Sequence, residues 1–155
     1  MEKNEIILAI DPGNIESAYC LMDSKTYKPI EFGKISNVQM LMKIIELKYD
    51  KIIIEMIASY GMAVGASVFD TCVWIGRFIQ ARTCVDFEYI YRKEEKMNLC
   101  YSMKAKDSNI RQALIDRFGD VGTKSNQGFF YGFKKDIWSA FAVGCTYLDK
   151  TKKID

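Results

Sequence analysis

Two short aliphatic runs each end in a carboxylate, and this repeated arrangement constrains the chain more than any other feature. The first, Ile6–Ile10, leads into Asp11 and then Pro12-Gly13-Asn14; the second, Lys51–Glu55, reads KIIIE. Both are short, rich in β-branched residues and bounded by turn or loop residues, the pattern of buried strands. A carboxylate at the end of such a strand cannot be buried cheaply, because an unpaired buried charge costs several kcal/mol or stays protonated. Asp11 therefore either faces water at a tight turn or meets something positive. A strand-final Asp before Pro-Gly is often a turn former, so both readings stand for Asp11 alone. Glu55 follows a strand too apolar for an exposed edge. If the two strands are adjacent and parallel, both acids emerge at one end of the sheet, where α/β folds place their sites.

The rest of the pattern supports an α/β domain with a mixed sheet. Strands are expected at Ile15–Met22, Pro29–Lys34 and Val85–Tyr91 beside the two above. Asn37 is the expected N-cap of a helix carrying Val38, Leu41, Met42 and Ile45, and Asp107 that of a helix ending near Phe118. Helices are also expected over Ser67–Arg82 and Lys134–Leu148. The order is β-β-β-α-β-α-β-α-α, with Arg92–Tyr101 a further short, charged helical stretch. Met56–Ala66 (MIASYGMAVGA) reads as a mobile loop. The 155 residues fit one domain, 1–155.

Composition narrows the chemistry. The chain has no histidine, which excludes Ser-His, Cys-His and His-metal mechanisms. Hydrolysis would have to use carboxylates with a hard cation. A third acid, Asp136, stands near the start of the last helix, one turn before Ser139 and Ala140. Converging carboxylates raise one another's pKa, a divalent cation relieves that repulsion, and a pair of such ions supports phosphodiester cleavage. Net charge is only +2, but residues 1–90 hold 9 Lys/Arg against 12 Asp/Glu and residues 91–155 hold 13 against 8. That asymmetry fits either a solvated surface or a basic face for nucleic acid. The five cysteines lack Cys-x-x-Cys spacing and read as reduced. No signal peptide and no membrane-spanning run is visible, so a cytoplasmic location with no membrane partner is expected.

LAIDPGN, then IIIEM, then KDIWSAFAVG, in this order over roughly Ile6–Tyr147, resemble the RuvC-type Holliday junction resolvases of the RNase H-like superfamily, and most closely the small bacteriophage-encoded ones. The resemblance implies an RNase H-like fold with a five-stranded mixed sheet flanked by helices, a homodimer, and Mg²⁺-dependent nicking of four-way DNA junctions, with Mn²⁺ as a substitute. For a phage-encoded protein the location would be the bacterial host cytoplasm. Asp11 matches the first-strand acid, Glu55 the acid ending the central strand, and Asp136 the first acid of an Asp-x-x-Asp pair on the last helix. Ser139 stands where the second acid of that pair belongs, leaving a cation position short of a charge; Ser139 would act there through a bound water, or Asp107 would supply the charge. Lys96 falls where resolvases carry a lysine near the scissile phosphate, a place where positive charge offsets the transition state.

For DNA, the candidates for phosphate contact are Arg77, Arg92, Lys93, Lys104, Lys106, Arg111, Lys124, Lys134 and Lys135. Tyr60 and Met62, on the loop after Glu55, are candidate wedges at the junction centre. Phe129, Phe130 and Tyr131 fit either base stacking or packing against Trp138. The helix VFDTCVWIGRFIQ fits either a dimer interface or the monomer core. Three other functions remain open: a catalytically weak or inactive junction-binding protein, an RNase H-like nuclease acting on other branched or RNA-containing substrates, and an actin-like or sugar-kinase half-fold. The chain is short for the last, and it lacks a second Gly-rich phosphate loop.

Overall fold

The computed structural model describes residues 3–154. The first aliphatic run becomes β1 (Ile6–Asp11) and continues through the Pro12-Gly13-Asn14 turn into β2 (Glu16–Asp23) and β3 (Pro29–Ser36), an antiparallel meander. Helix α1 (Asn37–Glu46) leads to β4 (Lys51–Met56), α2 (Ala66–Gln80) to β5 (Asp86–Tyr91), and α3 (Arg92–Cys100), α4 (Asp107–Phe118) and α5 (Ile137–Lys152) complete the chain. The sheet order is β3-β2-β1-β4-β5, with β4 parallel to both β1 and β5.

Side-chain alternation along the strands divides the core in two. Ile7, Ala9, Cys20, Met22 and Ile53 face α5, together with Phe130, Phe141 and Leu114. Leu8, Ile10, Ile52 and Ile54 face α1 and α2, against Met40, Ile44, Ile75 and Phe78. α5 lies close on the sheet because Gly144 has no side chain: a Cβ there would come within 2.3 Å of the Met22 sulfur and 3.0 Å of the Ala9 Cβ. That contact fixes the height at which the first turn of α5 meets the end of β1.

Three helix starts differ from expectation. α1 is capped by Ser36, whose hydroxyl accepts from the Gln39 amide at 3.2 Å, rather than by Asn37. Asn37 is buried and works on the preceding turn: its Oδ1 accepts from Ser17 Oγ at 2.6 Å and its Nδ2 donates to the Gly13 carbonyl at 2.8 Å. α4 is capped at Lys106, where the backbone amide donates to Asn109 Oδ1 at 2.9 Å, and Asp107 is the first helical residue. α5 starts at Ile137, so Lys134 and Lys135 precede the helix and Asp136 stands at its N-cap position. Phe130 is fully buried, with ring centroids 4.7 Å from Trp138 and 5.0 Å from Phe141, and Phe129 packs beside it, so these two aromatics serve the core.

Candidate active site

Register brings the strand-end acids together. β1 and β4 run parallel with Ile10 opposite Ile54, so Asp11 and Glu55 are neighbours one residue further on. Both follow the alternation of Ala9 and Ile53 and therefore face the α5 side. The turn after Asp11 is held by the Ser17–Asn37–Gly13 bonds and by the Gly13 amide donating to Ser17 Oγ at 3.2 Å.

The electrostatics are those of crowded acids. Asp11 is pushed up to about 9, first by burial, then by the charge and contact of Glu55 and by the charge of Asp136, with Arg92 opposing. Glu55 is pushed up to about 8, again first by burial and then by Glu95, with Asp11 and Arg92 opposing. Glu95, on α3, is fully buried and rises to about 7 for the same first reason, although its contacts with Glu55 and Arg92 pull it down. The site thus contains a fourth carboxylate that the sequence reading missed. In RKEEKMNL it reads as one member of a solvated charge run, and its burial becomes visible only once α3 is docked.

The cluster also has cations of its own. Arg92 was expected to reach phosphate; instead its guanidinium is turned inward, donating to Glu95 Oε1 at 3.1 Å and pairing with Asp107. Glu95 and Asp107 thus already have an arginine partner. Lys34, unremarked in the sequence, pairs with Asp136 at 2.6 Å and lies 3.9 Å from Glu16. It can do so because β3 and β2 place Lys34 opposite Ala18, and Ala18 opposite Asp11: one row across the sheet with a small residue between. Among the described residues, no three His, Cys, Asp or Glu side chains stand at the mutual spacing a bound metal ion needs.

Beside this row is a cleft lined by Arg92, Asp107, Arg111, Lys135, Asp136 and Ser139. It gathers Asp107 and Ser139 with Asp136, and two of the expected phosphate contacts, Arg111 and Lys135, with them. Arg111 also lies over the Trp138 ring, 5.4 Å from its centroid. Lys93, Lys104, Lys106 and Lys134 are exposed, whereas Lys96 is half-buried on α3 next to Glu95. Tyr60 and Met62 are 67% and 75% exposed on the loop that leaves β4 one residue after Glu55. Tyr60 has a φ of 48° and Gly61 one of 80°, a left-handed turn at the loop tip. Two expected contacts stand apart. Arg77 is in the last turn of α2, stacked on Trp74 at 4.1 Å. The end of that helix adjoins Lys51, at the opposite end of β4 from Glu55. Lys124 is exposed on the bridge between Gly122 and Gln127.

No protein-family model matches the chain. No curated protein matches it either. Solved structures do. Thermus thermophilus RuvC in complex with its Holliday junction substrate superposes with a TM-score of 0.72 at 11% identity, over 96% of each chain. A second structure of Thermus thermophilus RuvC gives 0.70 at 12%, again over 96% of each. The yeast mitochondrial Holliday junction resolvase Ydc2 gives 0.61 at 11%, over 96% of this chain and 81% of that one. At such identities the likeness is one of fold, and the chain has the RNase H-like fold of the RuvC-type resolvases, a five-stranded mixed sheet flanked by helices.

Proposed function

We propose that this protein is a structure-selective endodeoxyribonuclease that resolves four-way DNA junctions, and related branched DNA, by metal-dependent phosphodiester hydrolysis. The observation that carries the reading is the Asp11–Glu55 pair: two carboxylates side by side at the carboxyl ends of parallel strands, with raised pKa values, on the fold of junction resolvases. Motif order further favours the phage-encoded resolvases as the nearest subgroup.

The residues fit a hard divalent cation in kind. The donors are all carboxylate oxygens, their repulsion is what a cation relieves, and one buried oxygen, Glu95 Oε2, has no hydrogen-bond partner. Asp11 and Glu55 would hold Mg²⁺, or Mn²⁺ in its place, with Asp136 joining once Lys34 lets it go. The bound ion would polarise the scissile phosphate and lower the pKa of an attacking water. Ser139 and Asp107 line the adjoining cleft, where they would orient water, and Lys96 would offset charge on the phosphate. Arg111 and Lys135 would position the backbone at the cleft; Lys93, Lys104, Lys106 and Lys134 would extend the contact, and Tyr60 and Met62 would meet the unstacked junction centre. Two symmetric cuts require two copies of the chain. The outer face of α2 suits that contact: Phe69 and Val73 are 61% and 62% exposed there. Phe87 and Tyr89 of the edge strand, paired with Ile52 and Ile54, lie exposed on the same side of the sheet.

A labelled synthetic four-way junction, a fork and a plain duplex, each with Mg²⁺ and with EDTA, test the reading. Paired nicks in the junction that require Mg²⁺ are expected. Selective binding without nicks in Mg²⁺ or Mn²⁺ overturns the nuclease and leaves a junction-binding protein, the reading favoured by Lys34 and Arg92 already occupying the acids.

A further inference from the structure

Two buried acids in this protein are treated in opposite ways. Asp149, on α5, accepts from Tyr27 at 2.7 Å, from Asn98 at 2.7 Å and from both Arg117 nitrogens at 2.7 and 2.8 Å. It is fully satisfied, as buried structural acids are. Glu95 is more deeply buried, with no exposure at all, yet only its Oε1 accepts a bond, from Arg92. Its Oε2 is enclosed and receives none. The charge of Glu95 bears on Glu55, and that of Glu55 on Asp11, its neighbour across the parallel strands. Near neutral pH a retained proton can serve the pair, but once both carboxylates are ionised they have no donor to share, and a positive ion is the partner that would then replace the proton. An unsatisfied buried acceptor is expensive, and persists where a function requires it.

Arg92, which bonds Glu95, also lines the cleft that holds Asp136 and the neutral Ser139 of α5. We propose that Glu95 is a ligand of the cation site, supplying from α3 the carboxylate that Ser139 does not supply from α5. Glu55 and Glu95 would then hold the ion together, and Arg92, bonded to Glu95 and paired with Asp107, would steady the side chain that reaches it. No three of these acids stand at the spacing an ion needs, so Glu55 and Glu95 would turn about their side-chain bonds to take one up. This inference rests on the metal-dependent reading above and adds a residue to it.

The test is cation uptake by the metal-free protein, followed through the electron paramagnetic resonance of free Mn²⁺ and through calorimetry with Mg²⁺. Glu95→Gln keeps the size of the side chain and an acceptor for Arg92 while removing the charge. It is expected to melt at or above the wild-type temperature and to bind Mn²⁺ at least tenfold more weakly. Glu94→Gln, one residue away, is expected within twofold of wild type. Uptake by Glu95→Gln within twofold of wild type overturns the proposal and leaves the nuclease reading standing. A wild type that takes up no Mn²⁺ overturns both. A measurement on the unsubstituted chain makes the test independent of any variant's folding: Mn²⁺ at a fraction of the protein concentration should broaden the side-chain carboxyl resonance of Glu95 together with that of Glu55. A Glu95 resonance that stays as sharp as that of Asp149 overturns the proposal.

Discussion

Asp11 holds its proton far above the ordinary carboxylate range, and that sets how the cation-free protein responds to pH. Its pKa rises from 3.8 toward about 9 on folding, so between those values the native chain binds a proton that the unfolded chain has released. Stability then falls as pH rises through that window. Asp11→Asn removes the conflict. In EDTA at pH 8 it should stabilise the fold by on the order of 1–2 kcal/mol, raising Tm by roughly 2–8 °C. The same variant should lose nicking by at least a hundredfold while still binding the junction, as should Glu55→Gln. A thermal scan across pH with a junction-binding assay checks both; a variant that cuts removes its residue from the site. Ser139→Asp argues in the other direction. It should leave nicking unchanged or raise it, and should return part of the Mn²⁺ uptake lost in Glu95→Gln, since it places a carboxylate in the same cleft as Asp136. A clear loss of nicking would show that the serine hydroxyl itself is required.

The strands that carry Asp11 and Glu55 were legible because each is a short run of aliphatic residues with a turn or loop behind it, and local pattern is enough for that. The helix starts were less so. Ser36 and Asn37 are both good capping residues, and the choice between them was made by a turn twenty-odd residues earlier, where Asn37 is needed to hold Gly13 and Ser17. Lys34 was invisible for a related reason. Its place beside Asp136 depends on the β2–β3 register, which shifts at Leu21 and Met22, and on β2 presenting Ala18 between Lys34 and Asp11. Glu95 was hidden because burial of α3 is a tertiary event that a charge run does not announce. Lys34 also makes the element-scale prediction. Its ammonium occupies Asp136 at 2.6 Å, so it competes with any cation that Asp136 would help to bind. Lys34→Gln should tighten Mn²⁺ binding severalfold in a titration of the metal-free protein. Binding as weak as wild type, or weaker, would show that Asp136 is not held back by β3.

A four-way junction presents two strands for symmetric cutting, and a single copy of this fold offers one acid row at one sheet end. On the proposed function, coupled cleavage would depend on where a second copy docks. α5, α3 and α4 cover one side of the sheet, and the acid row opens there. The other side is covered by α1 and α2, whose inward faces bury Met40, Ile44, Ile75 and Phe78. That side leaves in water Val38, Met42 and Ile45 of α1, Phe87 and Tyr89 of the edge strand, and the outward stripe of α2, where Phe69 and Val73 stand one turn apart and are among the most exposed. Apolar side chains grouped in this way are costly to leave solvated and suit a self-complementary contact of two-fold symmetry. Docking there leaves both acid rows, which open on the opposite side of the sheet, uncovered. Phe69→Glu with Val73→Glu buries like charges across such a contact and should weaken self-association on the order of a hundredfold, about 3 kcal/mol. Sedimentation should then show a monomer whose melting temperature is close to that of wild type, because neither side chain belongs to the core. On a junction held in a small supercoiled circle, the wild type should release paired cuts within one binding event, and the variant single nicks. A variant that remains a dimer would move the contact to another face, and paired cutting by a proven monomer would show that the two incisions are independent.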